Sequence, residues 1–281
     1  TNELHVDIGL PMGFEERVFR NFQIGVKNKI VGTRYDALHG YWLTSGLANY
    51  VLARGFSFPE KSFEDLENEY CSAYGPAAGY VRDYYRYWRK NVWEKRIWPA
   101  RAQLVSFGHG FLDQALYWTR GAYYRETDFD HTDAILNAAA KEKLDAVEQS
   151  RLKQLLLANQ HARKLYRAMK TGGQYADDLR GSKACGQNFN AIKELNEFRL
   201  QNRDKLPFNW GRMMQREIRY ADGASTLLGK ITEGMTPVLQ LPSHWPFRID
   251  DEKNIQNPDF KSWDKISINN FWQDTAKDAK T

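Results

Sequence analysis

Leu4-His5-Val6-Asp7-Ile8 alternates apolar and polar residues with the two-residue period of a strand, and Gly9-Leu10-Pro11-Met12-Gly13 then breaks the pattern. Residues 14 to 27 carry apolar side chains at Phe14, Val18, Phe22 and Val26, the spacing of one helical face. A second short apolar run, Ile30-Val31-Gly32-Thr33-Arg34-Tyr35, follows and ends in polar sequence around Asp36 and His39. Strand, helix and strand in this order predict a βαβ unit with parallel strands. Two parallel strands and one helix cannot cover both faces of a sheet, so this piece requires more sheet than it contains.

From residue 41 to 221 the pattern is helical. Residues 41 to 53 form an apolar helix candidate, with Gly46 as its weak point and Gly55 as its terminus. Ser62 is placed as an N-cap with Asp65 three residues on, and Phe63, Leu66 and Tyr70 mark one face until Gly75 stops the helix. Pro76 restarts one that runs through Tyr84, Trp88 and Val92 to Trp98 and Pro99. Residues 108 to 122 read as a further helix, and Asp128, Asp130 and Asp133 crowd the start of the next, where carboxylates meet free amides. The apolar run from 132 to 169 exceeds ordinary helix length, which predicts a break at 144 to 150, two antiparallel helices, and closure at Gly172-Gly173. A last long helix covers 185 to 202 with Phe189, Ile192, Leu195 and Phe198 on one face; Pro207 follows, then a short helix or turn at 210 to 220.

After Gly223 the character changes. Pro237-Val238-Leu239-Gln240-Leu241-Pro242, Phe247-Arg248-Ile249 and Lys265-Ile266-Ser267-Ile268 read as short strands with prolines at their borders. A β-sandwich takes about 100 residues and about seven strands, more than this tail holds. The expected organisation is therefore a terminal portion of a (β/α)8 barrel at 1–40, a mainly α helical domain at 41–221, and a partial β-sandwich-like segment at 222–281. Both ends read as portions of larger domains, and the chain is expected to be a fragment.

Composition narrows the function classes. With 42% hydrophobic and 27% charged residues the chain is neither disordered nor low in complexity. Cys71 and Cys185 cannot build a disulfide-dense scaffold or a four-thiolate metal site. No apolar run approaches the ~18 residues of a membrane span, and Thr1-Asn2-Glu3 opens neither a basic nor an apolar leader. The net charge of +5 is spread among mixed signs, so a nucleic-acid partner is permitted but not indicated.

Compact chemical signatures are missing: no phosphate loop, nucleophile elbow, paired-histidine zinc helix or calcium loop. His5, His39, His109, His131, His161 and His244 are scattered, so no metal and no cofactor is expected. Asp128, Asp130 and Asp133 have a spacing that suits a hard cation, but helix capping explains them more simply. Arg82, Arg86, Arg89, Lys90, Lys95 and Arg96 among Tyr84, Tyr85, Tyr87, Trp88 and Trp93 resemble a nucleic-acid platform. Helical spacing assigns the aromatics to a core and the cations to solvent.

The strand ends carry more. Asp7 lies at the end of the first strand, and Asp36, His39, Tyr41 and Trp42 at or beyond the end of the second, where pockets form in parallel sheets and barrels. Trp42 suits stacking on a pyranose, with Asp36 or His39 binding hydroxyls; equally, Trp42 suits sealing the helical domain against the sheet. Glycoside hydrolysis requires two carboxyl groups, and no partner for Asp36 is identifiable. The catalytic residues are therefore unknown and expected on strands preceding residue 1.

The run Leu38-His39-Gly40-Tyr41-Trp42-Leu43-Thr44-Ser45-Gly46-Leu47-Ala48-Asn49-Tyr50-Val51-Leu52-Ala53-Arg54, with Tyr74-Gly75-Pro76-Ala77-Ala78 after it, resembles a bacterial family of large glycoside-hydrolase-like proteins with a domain of unassigned function. That family is loosely similar to α-glucuronidases in architecture. The resemblance covers residues 1 to 220 and implies a (β/α)8 barrel ending in strands at 4 to 9 and 30 to 35, then a helical domain, then a sugar-binding β-sandwich. It also implies a secreted or periplasmic protein of polysaccharide-degrading bacteria, with Asp7, His39 and Trp42 facing the barrel mouth. The resemblance further implies that most of the barrel lies outside this chain and that the chain alone is not active. The leading expectation is the C-terminal portion of a carbohydrate-active protein, with an oligosaccharide or polysaccharide and the remaining barrel and sandwich as partners. A noncatalytic carbohydrate-binding or interaction module and a helical nucleic-acid-binding protein are the alternatives.

Overall fold

In the computed structural model the described residues are 9–30, 42–107, 116, 122–177, 182–210, 244–247 and 264–267, with the backbone alone described for 171–177, 182–189, 192 and the last two segments. These residues are mainly helical. The strands expected at 4 to 9 and 30 to 35, save Gly9 and Ile30, the helix at 108 to 122 save Leu116 and Ala122, the segment at 210 to 220 save Trp210, and the strand at 237 to 242 lie outside them.

Residues 9 to 14 are an extended leader that runs into the core: Leu10, Met12 and Phe14 are buried, and Gly9 and Gly13 take positive φ of 79° and 72°. Helix α1 (Glu15–Lys27) follows and buries Val18 and Phe19. Val26, expected on the inner face, is exposed, as are Ile24 and Ile30. Helix α2 (Gly46–Ser57) packs against α1 through Phe22 and Phe56, whose ring centroids are 4.7 Å apart. It begins at Gly46, which sequence reading treats as its weak point, and runs past Gly55. Both glycines permit close packing, Gly46 against the Tyr70 hydroxyl and Gly55 against the Phe22 ring.

Helix α3 (Phe63–Ser72) starts on the expected cap. Ser62 Oγ accepts from the Asp65 amide at 3.1 Å while Asp65 accepts from the Ser62 amide at 3.1 Å, a reciprocal capping box. Gly75 ends this unit at φ 54°, and Pro76 falls in the 3₁₀ turn Gly75–Ala77 that leads into α4 (Ala78–Tyr87). The rod then continues through a π-helical stretch, Trp88–Ile97, into α5 (Trp98–Phe107). Sequence reading ends the helix at Pro99, yet it continues. The Trp98 amide donates to the Trp93 carbonyl with π spacing, and a wider turn ahead of proline relieves the clash an α-helical carbonyl would meet.

Helix α6 (Glu126–Ala139) and helix α7 (Ala146–Asp177) are the two helices expected across 132 to 169, with the break slightly earlier. Asp145 sets the start of α7, its Oδ1 accepting from the amides of Val147 and Glu148 at 2.8 Å each. Gly172-Gly173 does not close α7, which continues to Asp177: a glycine inside a helix costs about 1 kcal/mol and does not forbid it. Helix α8 (Ser182–Gln201) packs along α7.

The core centres on Trp88, Tyr84, Phe129 and Tyr166, all 1% exposed or less. Trp88 and Phe129 rings lie 5.2 Å apart and Phe129 and Tyr166 5.3 Å apart. Asn159 is the polar tie across this core: its amide donates to Asp133 at 2.7 Å and its oxygen accepts from Tyr84 at 3.2 Å. In the tail, strand β1 (His244–Phe247) pairs antiparallel with β2 (Asp264–Ser267), His244 opposite Ser267. These strands fall close to two of the expected ones, three residues early and one residue early respectively.

Candidate functional site

Of the strand-end candidates, Asp7, Asp36, His39 and Tyr41 lie outside the described residues. Trp42 lies within them, in the turn that precedes α2, and 40% of it is exposed. Among the described residues its indole is thus an accessible apolar face, which suits both a stacking role and a packing seal.

The leader ends on a charge cluster that sequence reading missed. Gly13 meets the backbone of Trp88 and Arg89 so closely that a β-carbon there would overlap it. Glu15, two residues on, reaches the Arg89 guanidinium at 3.0 Å, and Glu67 of α3 holds the same guanidinium at 2.8 Å. Arg86 braces Glu67 from the solvent side at 2.8 Å, and Glu16 approaches Arg89 at 3.5 Å. Arg89 is therefore buried, at 4% exposure, and not in solvent with the other cations of its segment. Its partners stand 74 and 22 residues away in the chain. Helical periodicity alone cannot announce an ion pair at that separation.

Two acids and one base share this interior. Burial pushes Glu15 up to about 7 against the opposing pull of Arg89. For Arg89, burial works against the charge, but Glu15 and Glu67 more than offset it and its proton is held more tightly. Arg89 therefore stays charged. Nearby Cys71 is buried, and desolvation followed by the Glu67 charge pushes its thiol up to about 12. Such a thiol is an inert core group and not a nucleophile.

The acidic triplet at the start of α6 is committed to arginines. Asp128 accepts from the Arg125 amide at 2.8 Å, the expected capping contact, and also takes both Arg96 nitrogens at 2.6 Å. Asp130 and Asp133 bind Arg163 at 2.5 and 2.9 Å. Capping thus describes Asp128 alone, and each of the three carboxylates is bound to a guanidinium, Asp130 and Asp133 to the same one, which Glu126 also shares. Arg96, like Arg89, is turned into the protein. Among the described residues no group of three or more His, Cys, Asp or Glu is placed to hold a metal ion.

Between α4 with the first π turn and α6 lies an open groove of about 620 Å³. Tyr80, Asp83 and Tyr87 form one wall, with Lys90 and Asn91 beyond them; His131 and Ile135 face them from α6, over Ala134 and Ala138. The Tyr87 ring stacks on the His131 imidazole with centroids 4.4 Å apart. Its hydroxyl donates to Asp128 at 2.9 Å, and burial together with that carboxylate pushes the phenol up to about 12. Tyr87 is thereby held by Asp128, which Arg96 holds in turn. The sequence signal for this wall was the basic and aromatic mixture of 82 to 96, although the groove draws on its exposed side chains and not on the stripe assigned to the core.

Among the described residues the groove offers aromatic side chains, hydrogen-bonding groups of both kinds and cations that are paired with carboxylates. Comparison with protein-family models, with curated proteins and with solved structures finds no match to this chain.

Proposed function

We propose that the chain is part of a carbohydrate-active, glycoside-hydrolase-like protein, in which the helical body stiffens the sheet portion carrying Asp7, Asp36 and His39 beside a glycan cleft. The observation that carries this reading is the burial of the leader. Leu10, Met12 and Phe14 are sunk in the helical core, the Tyr124 hydroxyl donates to the Pro11 carbonyl at 3.2 Å, and Arg89 holds Glu15. The backbone leaving the first expected strand is therefore anchored at residue 9 and beyond by the helical body. A supporting domain does this for a barrel whose loops must keep their positions. The exposed indole of Trp42, next to the other candidates in the chain, supports a rim that stacks on sugar rings.

The reading carries with it a secreted or periplasmic setting and a polysaccharide or oligosaccharide partner. Its test is calorimetric titration of the chain with cello-, xylo- and malto-oligosaccharides, beside a Trp42→Ala variant. Binding of one series that weakens at least tenfold on loss of Trp42 supports the rim; binding indifferent to Trp42, or none by any series, removes it. The groove between α4 and α6 favours a second reading, in which the helical body binds carbohydrate without turnover.

A further inference from the structure

We infer that the groove between α4 and α6 is a binding site for a neutral, hydroxyl-rich pyranoside, separate from the Trp42 rim. The inference takes its ligand class in part from the carbohydrate reading, and the rest from the walls of the groove.

The first argument is charge. Arg86 and Lys90 give this face its cationic look in the sequence, but Arg86 is paired with Glu67 at 2.8 Å, a carboxylate it shares with Arg89, and Lys90 with Glu94 at 2.7 Å. Asp83 adds one carboxylate, and it makes no hydrogen bond or ion pair among the described residues. A phosphate-bearing polymer would meet no surplus of positive charge here, whereas a polyol needs acceptors and donors side by side.

The second argument is preorganisation. Tyr87 is fixed before any ligand arrives: its hydroxyl is bound to Asp128, Asp128 is bound by both nitrogens of Arg96, and its ring is stacked on His131. The Tyr80 hydroxyl, like Asp83, makes no hydrogen bond among the described residues. The fixed edge of the Tyr87–His131 stack beside an uncommitted phenol and an uncommitted carboxylate offers an apolar contact and hydrogen-bonding groups to the ring hydroxyls of a sugar. The volume of about 620 Å³ lies within the ordinary range for small-ligand sites.

The third argument is the winding. The groove sits where the α-helical rod passes into the π-helical stretch at Trp88, and Lys90 and Asn91 of that stretch line it. A π turn is costly for an ordinary helix and recurs at functional sites.

The experiment is calorimetry of the full chain with cellotetraose, xylotetraose and maltotetraose, on the wild type and on Asp83→Asn, Tyr80→Ala and Trp42→Ala, each checked by circular dichroism melting. The expected result is binding in two components, one at least tenfold weaker in Asp83→Asn and Tyr80→Ala and unchanged in Trp42→Ala, the other weakened by Trp42→Ala alone. Should Tyr80→Ala prove unfolded, Asp83→Asn at the exposed wall decides alone. Binding lost only in Trp42→Ala overturns the groove and leaves the rim reading standing. Binding unaffected by Asp83→Asn overturns the groove, and binding of no probe overturns both.

Discussion

Gly13 rests directly on the backbone of Arg89, where the α4 rod has just become π-helical, and its positive φ of 72° is one that side chains rarely adopt. Both conditions oppose any larger residue. Gly13→Ala is expected to cost about 3 kcal/mol or more, the range reserved for backbone strain with overpacking. Urea denaturation of the variant beside the wild type measures it; a loss under about 1 kcal/mol would show that the leader gives way easily.

The charge cluster beneath that glycine makes stability depend on pH. The Glu15 carboxyl is raised from 4.5 to about 7, so the folded state holds a proton there that the unfolded chain releases. The stabilisation is fully present below pH 4.5 and is lost as pH rises through 7, a loss of about 3 kcal/mol in total. Glu69 runs the other way: hydrogen bonds from Lys61 and then Tyr50 hold it at about 2, so its contribution is present above 4.5 and fades in acid. Two groups act in the window from 4.5 to 7 with opposite signs: Glu15 loses stabilisation as pH rises, whereas burial and then the Arg199 charge hold His161 well below 6.5, so its contribution is present above 6.5 and fades as pH falls. The difference in melting temperature between the wild type and Glu15→Gln isolates the carboxyl: it should shift against the wild type as pH rises across that window, and parallel curves would show that Glu15 does not take up the proton.

Asp128 joins the α6 N-terminus to the rod through Arg96 and Tyr87 and is only 1% exposed. Asp128→Ala leaves the guanidinium short of its partner and uncaps the Arg125 amide. Breaking one side of a buried pair costs about 3 to 5 kcal/mol, and Arg96 keeps some solvent access, so the lower end is expected. Chemical denaturation checks the magnitude. Arg96→Met with Asp128→Asn should recover part of the loss if the unpaired charge is its main source.

The Ser62 cap is local and offers a cleaner measurement. Ser62→Ala removes the acceptor for the Asp65 amide, and a loss of about 1 kcal/mol is expected from equilibrium unfolding. No change in the melting curve would mean that solvent replaces the cap without cost.

That cap was legible because four consecutive residues contain both of its halves. The stop at Gly75, the break before Ala146 and the last helix could be read for the same reason, since turn chemistry and helical period are short-range properties of the chain. Punctuation misled where tertiary packing overrode it. Pro99 sits inside a rod that changes its winding to admit it, Gly172-Gly173 sits inside a long helix, and Gly46 opens a helix because the Tyr70 hydroxyl comes so close. The burial of Arg89 and Arg96 was illegible, because each carboxylate that offsets their charge comes from a distant element. Of the site residues expected from the strand ends, Trp42 alone falls among those described; the groove walls were visible in the sequence only as a mixture of rings and charges, without the partners that sort them.

The hydrogen bond from Tyr124 to Pro11 spans 113 residues. Helical proteins usually assemble from near neighbours and fold quickly, but this one closes its interior with a stretch of chain made long before helix α6 exists. During synthesis, Met12 is made long before Tyr124, whose hydroxyl donates to its sulfur, leaves the ribosome. That interval exposes sticky side chains, and the maturing protein is then most vulnerable to proteases and most in need of a chaperone.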